Sequence, residues 1–502
     1  MKRSTFSLLA PAFALTAAIA LPLQAEENTA LTLYNQNFAV VRQTIPLDLQ
    51  SGTTPLEFAN VTAQLEPDSV VLRDPAGKIA LQILEQNYRN DPVSEPLLLS
   101  LYEGQTIDFK VNTASGEPRI VSGKIIRSGY APQRRDPYGN PVYNVAPTQP
   151  LIEVDGKLQF SLPGQPLFPA LKGDTILKPT LTWQIHSPAA AKLDAELAYI
   201  TGGMTWEASY NVVSPEESDI LALVGWITMK NESGKTFENA RIKLMAGDVS
   251  KIQPNQLRVR GGLAALDNMT MSSLAPQVTE KSFDEYHLYS LPLATTLRDQ
   301  ETKQVEFINA NNVNSKRLYV YDGMQIDWNQ YRGYSMENMR NNENLGVEQN
   351  TKVAVVREFK NSKENNLGLP LPKGRVRFYR QDTADNRLEF TGENTIDHTP
   401  KDETVRIFTG NAFDIVGGRL RTDYKADTSR KTIDESFEIT LRNHKKEPVE
   451  VVITEHLFRW FTWEITAKSD PFVKTAAQVM EFRVKVAPDE EKKVTYTVRY
   501  TW

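Results

Sequence analysis

The sequence contains no cysteine. That absence excludes disulfide bridges, thiolate nucleophiles and cysteine-based zinc sites, so buried apolar surface and paired backbone must hold the fold. Histidine is almost as scarce. His186, His287, His398, His444 and His456 are the only five in 502 residues, and no two stand at the spacing of paired zinc ligands. No metal and no cofactor is therefore expected. The chain also lacks a G-x-S-x-G elbow, a P-loop, a G-x-G-x-x-G turn and an H-E-x-x-H pair, which removes the common hydrolase, nucleotide and metalloprotease signatures. Dense basic blocks are missing too. None is longer than Arg134-Arg135, and 57 Lys and Arg face 62 Asp and Glu, which argues against a nucleic-acid partner.

Long apolar runs occur only at the start. Lys2 and Arg3 precede an apolar stretch from Phe6 to Leu21, then Pro22 and the small residue Ala25, which is the layout of a secretory signal peptide. The stretch is shorter than the ~20 residues of a membrane-spanning helix and is interrupted by Pro11, so cleavage after Ala25 is expected rather than anchoring. Leu23 stands where a small residue is preferred. The expectation is a periplasmic or secreted protein, with no lipid anchor and no membrane span after signal cleavage.

What fills the rest is alternation of period two. In Lys492 to Tyr500, apolar Val494, Tyr496, Val498 and Tyr500 alternate with Thr495, Thr497 and Arg499, the pattern of a strand with one buried face. Lys303 to Phe307, Lys352 to Phe359, Ser436 to Leu441, Val449 to Ile453 and Val479 to Val486 read likewise. Turn clusters recur about every ten residues. The fold class predicted is all-β: several antiparallel, immunoglobulin-like β-sandwich domains with a small SH3-like barrel insertion near the N-terminus. The length suggests about three domains. The divisions expected are a signal peptide over 1–25, an N-terminal β domain over 26–190 with the insertion at about 97–163, a central sandwich region over 191–426 and a C-terminal immunoglobulin-like sandwich over 427–502. The stretches 132–150, 264–282 and 328–349 read as loops. A terminal alternation ending in Trp502 also has the look of an outer-membrane barrel strand, but charges between apolar residues, as in Arg483 to Lys485, oppose a lipid-facing surface.

Several runs carry a family resemblance: Tyr199-Ile-Thr-Gly-Gly-Met-Thr-Trp206-Glu-Ala-Ser-Tyr210, the Asn231-Glu-Ser-Gly234 turn, Gly368-Leu-Pro-Leu-Pro-Lys-Gly374 before Val376-Arg377-Phe378-Tyr379, Glu393-Asn-Thr-Ile-Asp397-His398-Thr-Pro400 and the closing Val494 to Trp502. From about Leu193 onward the chain resembles exported bacterial proteins of the "domain of unknown function 4139" family, some of which are labelled mucoidy inhibitor-like. The resemblance implies envelope or exopolysaccharide biology and brings no catalytic residues with it. Such relatives place a long coiled coil before the shared region, whereas this chain has no heptad run there.

The remaining candidates each have two readings. His398 beside Asp397 is either a charge-paired acid or base, or a polar turn closed by Thr399-Pro400. Glu455 and His456 alternate on one strand and so face opposite sides, which fits ordinary strand core and surface. Asp382-Thr-Ala-Asp385-Asn386 offers oxygen ligands for calcium, but lies between two strand-like runs and reads better as a hairpin turn. Phe458, Trp460, Phe461 and Trp463 are either a stacking platform or core. Trp328, Tyr331 and Tyr334, aromatic residues in a polar loop, are the partner-binding candidates. The function that fits best is a non-catalytic envelope binding or scaffolding protein whose partner is an envelope protein or a glycan. The alternative is an envelope hydrolase, glycosidase- or peptidase-like, whose carboxylates only the fold brings together.

Overall fold

The computed structural model describes residues 29–112, 116–131, 149–169, 171, 175–215, 218–247, 249–251, 278–283, 286–324, 326 and 333–502. The protein is all-β with several sheets, as the alternation predicts. The α-helices among the described residues are two short ones, Glu95–Leu101 and Met336–Asn341. The first starts where Ser94 accepts a hydrogen bond from the Leu97 amide and Pro96 occupies the first turn, where its missing N–H costs nothing. No helix among the described residues is long and apolar enough to cross a membrane.

Two sheets face each other across the larger core. One runs through Ala30–Tyr34, Phe38–Leu49, Ala191–Gly202 and Phe237–Ala246; the other includes Met204–Pro215, Ile220–Asn231 and Gly374–Gln381. Pairing is mostly antiparallel, with Ala30–Tyr34 parallel to Phe237–Ala246 and Met204–Pro215 parallel to Gly374–Gln381. The Asn231 turn carries the chain from one sheet to the other. There Asn231 Oδ1 accepts from the Ser233 amide and hydroxyl, while its Nδ2 donates to the carbonyls of Lys235 and Leu297. Strands on either side of that turn contribute Leu223, Ile227, Phe237 and Ile242 to one core, as alternation requires. A five-stranded antiparallel sheet drawn from Thr106–Leu167 encloses its own small core of Leu99, Tyr102, Ile107, Phe109, Ile125 and Ile152.

A second large core lies in the C-terminal part, among Tyr321, Ile433, Ile439, Val451, Phe482, Val494 and Tyr500. Two long strands join the cores. Glu301–Asp322 gives Phe307 and Val313 to the first and Tyr319 and Tyr321 to the second; Thr404–Asp427 gives Val405 and Ile407 to the first and Ile415 to the second. The closing strand Glu491–Thr501 buries Val494, Tyr496, Val498 and Tyr500, the residues that the alternation places on one face.

Two of the expected loops differ in part. Thr279–Phe283 is a strand, paired with Tyr286–Ser290 at a sheet edge. Its side chains are mostly exposed, so it carries no apolar alternation to betray it. Within 328–349, Met336–Asn341 is helical. Residues 1–25 and 132–148 lie outside the described residues, as do 264–277.

Candidate functional site

The most developed site sits where Glu301–Asp322, Val449–His456 and Val479–Val486 meet. Glu301–Asp322 runs parallel to Val449–His456 with Asp322 opposite Thr454, and Val449–His456 runs antiparallel to Val479–Val486 with His456 opposite Val479. Side chains repeat every second residue, so Asp322, Thr454, His456 and Val479 share the outer face. Tyr321, Ile453, Glu455 and Met480 share the inner one. Glu455 and His456 thus do face apart, and the fold gives each a different partner.

On the outer face His456 Nε2 lies 2.9 Å from Asp322 Oδ2. That bond raises the imidazole pKa above its usual 6.5 against the opposing effect of burial. The pair lies at one wall of a cleft of about 360 Å³ whose other lining residues include Met324, Ile326, Phe458, Gln478 and Val479. Gln478 serves the wall rather than the opening, because its Nε2 donates to the carbonyls of Leu457 and Trp460.

On the inner face Glu455 is fully buried and takes both oxygens to Arg419, with Nε 3.0 Å from each. The Tyr496 hydroxyl donates to the same carboxylate, and the Arg419 guanidinium lies 4.0 Å from the centre of the Phe437 ring. Burial works against the charge on Arg419, but Glu455 and Tyr496 outweigh it and raise the guanidinium pKa. A second buried pair, Arg459 with Glu435, lies in the same core.

Both arginines reach out of the sheet to the polar segment above it. Arg419 Nη1 donates to the Gly346 carbonyl, and Arg459 donates to the carbonyls of Arg340, Asn342 and Leu345. The Gln349 side chain accepts from the Arg419 amide, and Arg421 donates to the Glu343 carbonyl. Arg340 itself is inserted between the rings of Trp460 and Trp502, at 4.9 and 4.3 Å. Residues 340–349 are therefore a strap bound to the sheet, not an unattached loop. Gly346, at φ +74°, fixes the strap beside the cleft: a Cβ there would lie 2.3 Å from the Phe458 ring.

The residues proposed from sequence scatter around this site. Trp328 and Tyr331 lie outside the described residues, while Tyr334 is exposed just before the helix that leads into the strap. Phe458 lines the cleft, Trp460 and Trp463 pack against the core, and Phe461 is exposed. His398 Nδ1 accepts from the Lys373 amide and Asp397 pairs with Lys373 at 3.3 Å, so both belong to a turn. Asp382 and Asp385 accept from the amides of Ala384 and Arg387, closing the hairpin between Gly374–Gln381 and Leu388–Ile396. No group of three or more His, Asp or Glu among the described residues is arranged to hold a metal.

Asp322, Arg419, Glu435 and Arg459 are the site residues that sequence reasoning missed. A signal existed for one of them: Glu435 falls in phase with Ile433, Phe437, Ile439 and Leu441, where an apolar residue is expected. The chain matches no protein-family model, and a search of the curated proteins finds no match either.

Proposed function

We propose that the protein is a non-catalytic binding or scaffolding protein of the bacterial cell envelope, exported behind residues 1–25. Its partner, an envelope protein or a glycan, engages the Asp322–His456 cleft and the strap beside it. The observation that carries this reading is the joining of the cleft to a segment held by buried ion pairs, because binding surfaces lose least entropy when they are rigid before contact. The resemblance to exported proteins from Leu193 onward supports the same compartment.

The cleft chemistry gives little support to the hydrolase alternative, which needs two convergent acids roughly 5 to 10 Å apart. Asp322 is the one carboxylate lining this cleft among the described residues, and His456 already engages it. Glu481 shares the outer face but pairs with Arg483 at 3.7 Å and does not line the opening. A shallower depression holds Asp48 and Asp194, where Lys192 pairs with Asp48 at 2.8 Å in the open, an ordinary surface ion pair.

The test is quantitative capture from an envelope fraction with the full chain tagged within residues 132–150, compared with Phe458→Ala and Tyr334→Ala. Deleting the strap is unsuitable, since it would leave Arg419 and Arg459 buried without their carbonyl partners. A partner enriched by the wild type and lost with Phe458→Ala supports the reading. Turnover of an envelope glycan or peptide by the purified chain, abolished by Asp322→Asn, would overturn it. Export is checked separately by mass spectrometry of the protein's N-terminus, expected at Glu26.

A further inference from the structure

We propose that the cleft is a receptor for one lysine or arginine side chain of a partner protein, with Asp322 as the receiving anion and His456 as a competing cation. The inference rests on the binding reading above and narrows it to a chemistry. Met324, Ile326, Phe458 and Val479 form apolar walls of the kind along which the methylene stem of a long cationic side chain packs. At about 360 Å³ the cleft is at the small end of ligand pockets, which span roughly 300–1,000 Å³, so it has room for one side chain rather than a folded segment. Asp322 supplies the polar end. Its side chain is 48% exposed, and only Oδ2 is taken by His456.

The charges around His456 decide which ligand is favoured. From Glu301–Asp322 it faces Asp322; from its own strand, Glu455 on the inner side; from Thr404–Asp427, Arg419. Across the ladder, Val479 carries no charge. Glu455 and Arg419 are bound to each other, and Arg459, 5.6 Å from the Phe458 ring centre, is bound to Glu435. Those pairs nearly cancel, so among the described residues Asp322 sets the sign of the opening. With His456 neutral, the cleft presents a net carboxylate. With His456 protonated, the pair is neutral and an incoming cation meets an imidazolium. Cation binding and protonation of His456 therefore oppose each other, and each must weaken the other by the same factor.

The experiment follows the His456 ring resonances by NMR in the full chain while n-butylguanidinium, or its neutral isostere n-butylurea, is added. The cation alone is expected to give a saturable shift and to lower the pH midpoint of His456. Below that midpoint its apparent affinity should fall, by at most about tenfold per pH unit, and level off once the full coupling factor is lost. Asp322→Asn should abolish binding, and His456→Asn, followed through the backbone amide resonance of Phe458 in the same cleft, should keep it while flattening its pH dependence. Equal shifts from n-butylurea, binding that survives Asp322→Asn, or no saturable shift at tens of millimolar would each overturn the assignment. If Phe458-dependent capture of an envelope partner stands while n-butylguanidinium leaves His456 unmoved, the cationic side chain is wrong and the binding reading survives.

Discussion

Arg459 meets Glu435 through two hydrogen bonds of 2.8 Å, Nε to Oε2 and Nη2 to Oε1, with neither side chain open to solvent. Taking two charges out of water costs several kcal/mol each, and the pair repays this only because its geometry is bidentate and its remaining donors are used. Those donors are the ones that hold the carbonyls of Arg340, Asn342 and Leu345. The buried pair is thus less a source of stability than the anchor of the strap.

That distinction can be measured. Glu435→Gln leaves Arg459 buried beside a neutral group and should destabilise the protein by about 3–5 kcal/mol in urea unfolding. The double replacement Glu435→Leu with Arg459→Met removes both charges of the pair and should recover part of that loss, Arg421 being left without its own 3.3 Å contact to Glu435. Limited proteolysis of the double variant should nonetheless cut between residues 341 and 349, where the wild type resists. Resistance retained in the double variant would show that the strap is held by something else.

Gly417 sits directly against Tyr321. A Cβ at position 417 would lie 2.1 Å from the Tyr321 ring, which is fully buried and donates its hydroxyl hydrogen to the Asn350 carbonyl. Gly417→Ala must push that ring aside, with an overpacking cost of about 1–3 kcal/mol or more. Because Asp322 is the next residue, the displacement should also loosen its bond to His456. Both a lower melting temperature and a lowered His456 midpoint are expected; a lowered melting temperature alone would mean that the ring moves without the strand.

The sheet was legible in the sequence because period-two alternation reports which face of a strand is buried, and Thr432–Asn443, Val479–Val486 and Glu491–Thr501 in the second core alternate strictly. The site was not, because its contacts join residues far apart in the chain. Asp322 and His456 belong to different strands, and nothing near either one announces the parallel register that brings them together. The strap hid for a related reason. Its Asn- and Glu-rich composition is that of an unattached loop, and what fixes it are arginines 70 or more residues away in sequence. Two charges in the apolar phase of their strands, Glu435 beside Ile433 and Phe437 and Glu455 beside Val451 and Ile453, marked where polar chemistry enters the core.

Arg340 offers an optical report on the strap. Its guanidinium lies between two indole rings with its side chain 9% exposed, a desolvated cation–π arrangement worth about 2 kcal/mol. Arg340→Ala should let water reach Trp460 and Trp502 and move the tryptophan emission to longer wavelength. Glu337→Ala is the control, since Glu337 touches Arg340 only from the solvent side at 3.7 Å. Identical spectra from both variants would mean that the stacked arrangement does not form in solution.

The Asp322–His456 bond makes stability depend on pH in a definite direction. The folded pKa of His456 is raised by Asp322 above the 6.5 of the unfolded chain, so the folded state holds this proton more tightly. The contribution is complete below about pH 6.5 and is lost as pH rises through the folded midpoint. Asp322→Asn removes it. The melting-temperature advantage of the wild type over Asp322→Asn should therefore be largest near pH 5.5, where the imidazole is charged, and should shrink by pH 9. Because both side chains are partly open to solvent, screening makes the effect modest, and raised salt should reduce it further. An advantage that grows toward pH 9 would mean that Asp322 stabilises the fold through a partner other than His456, and the cleft would then lack the proton-linked competition inferred for it.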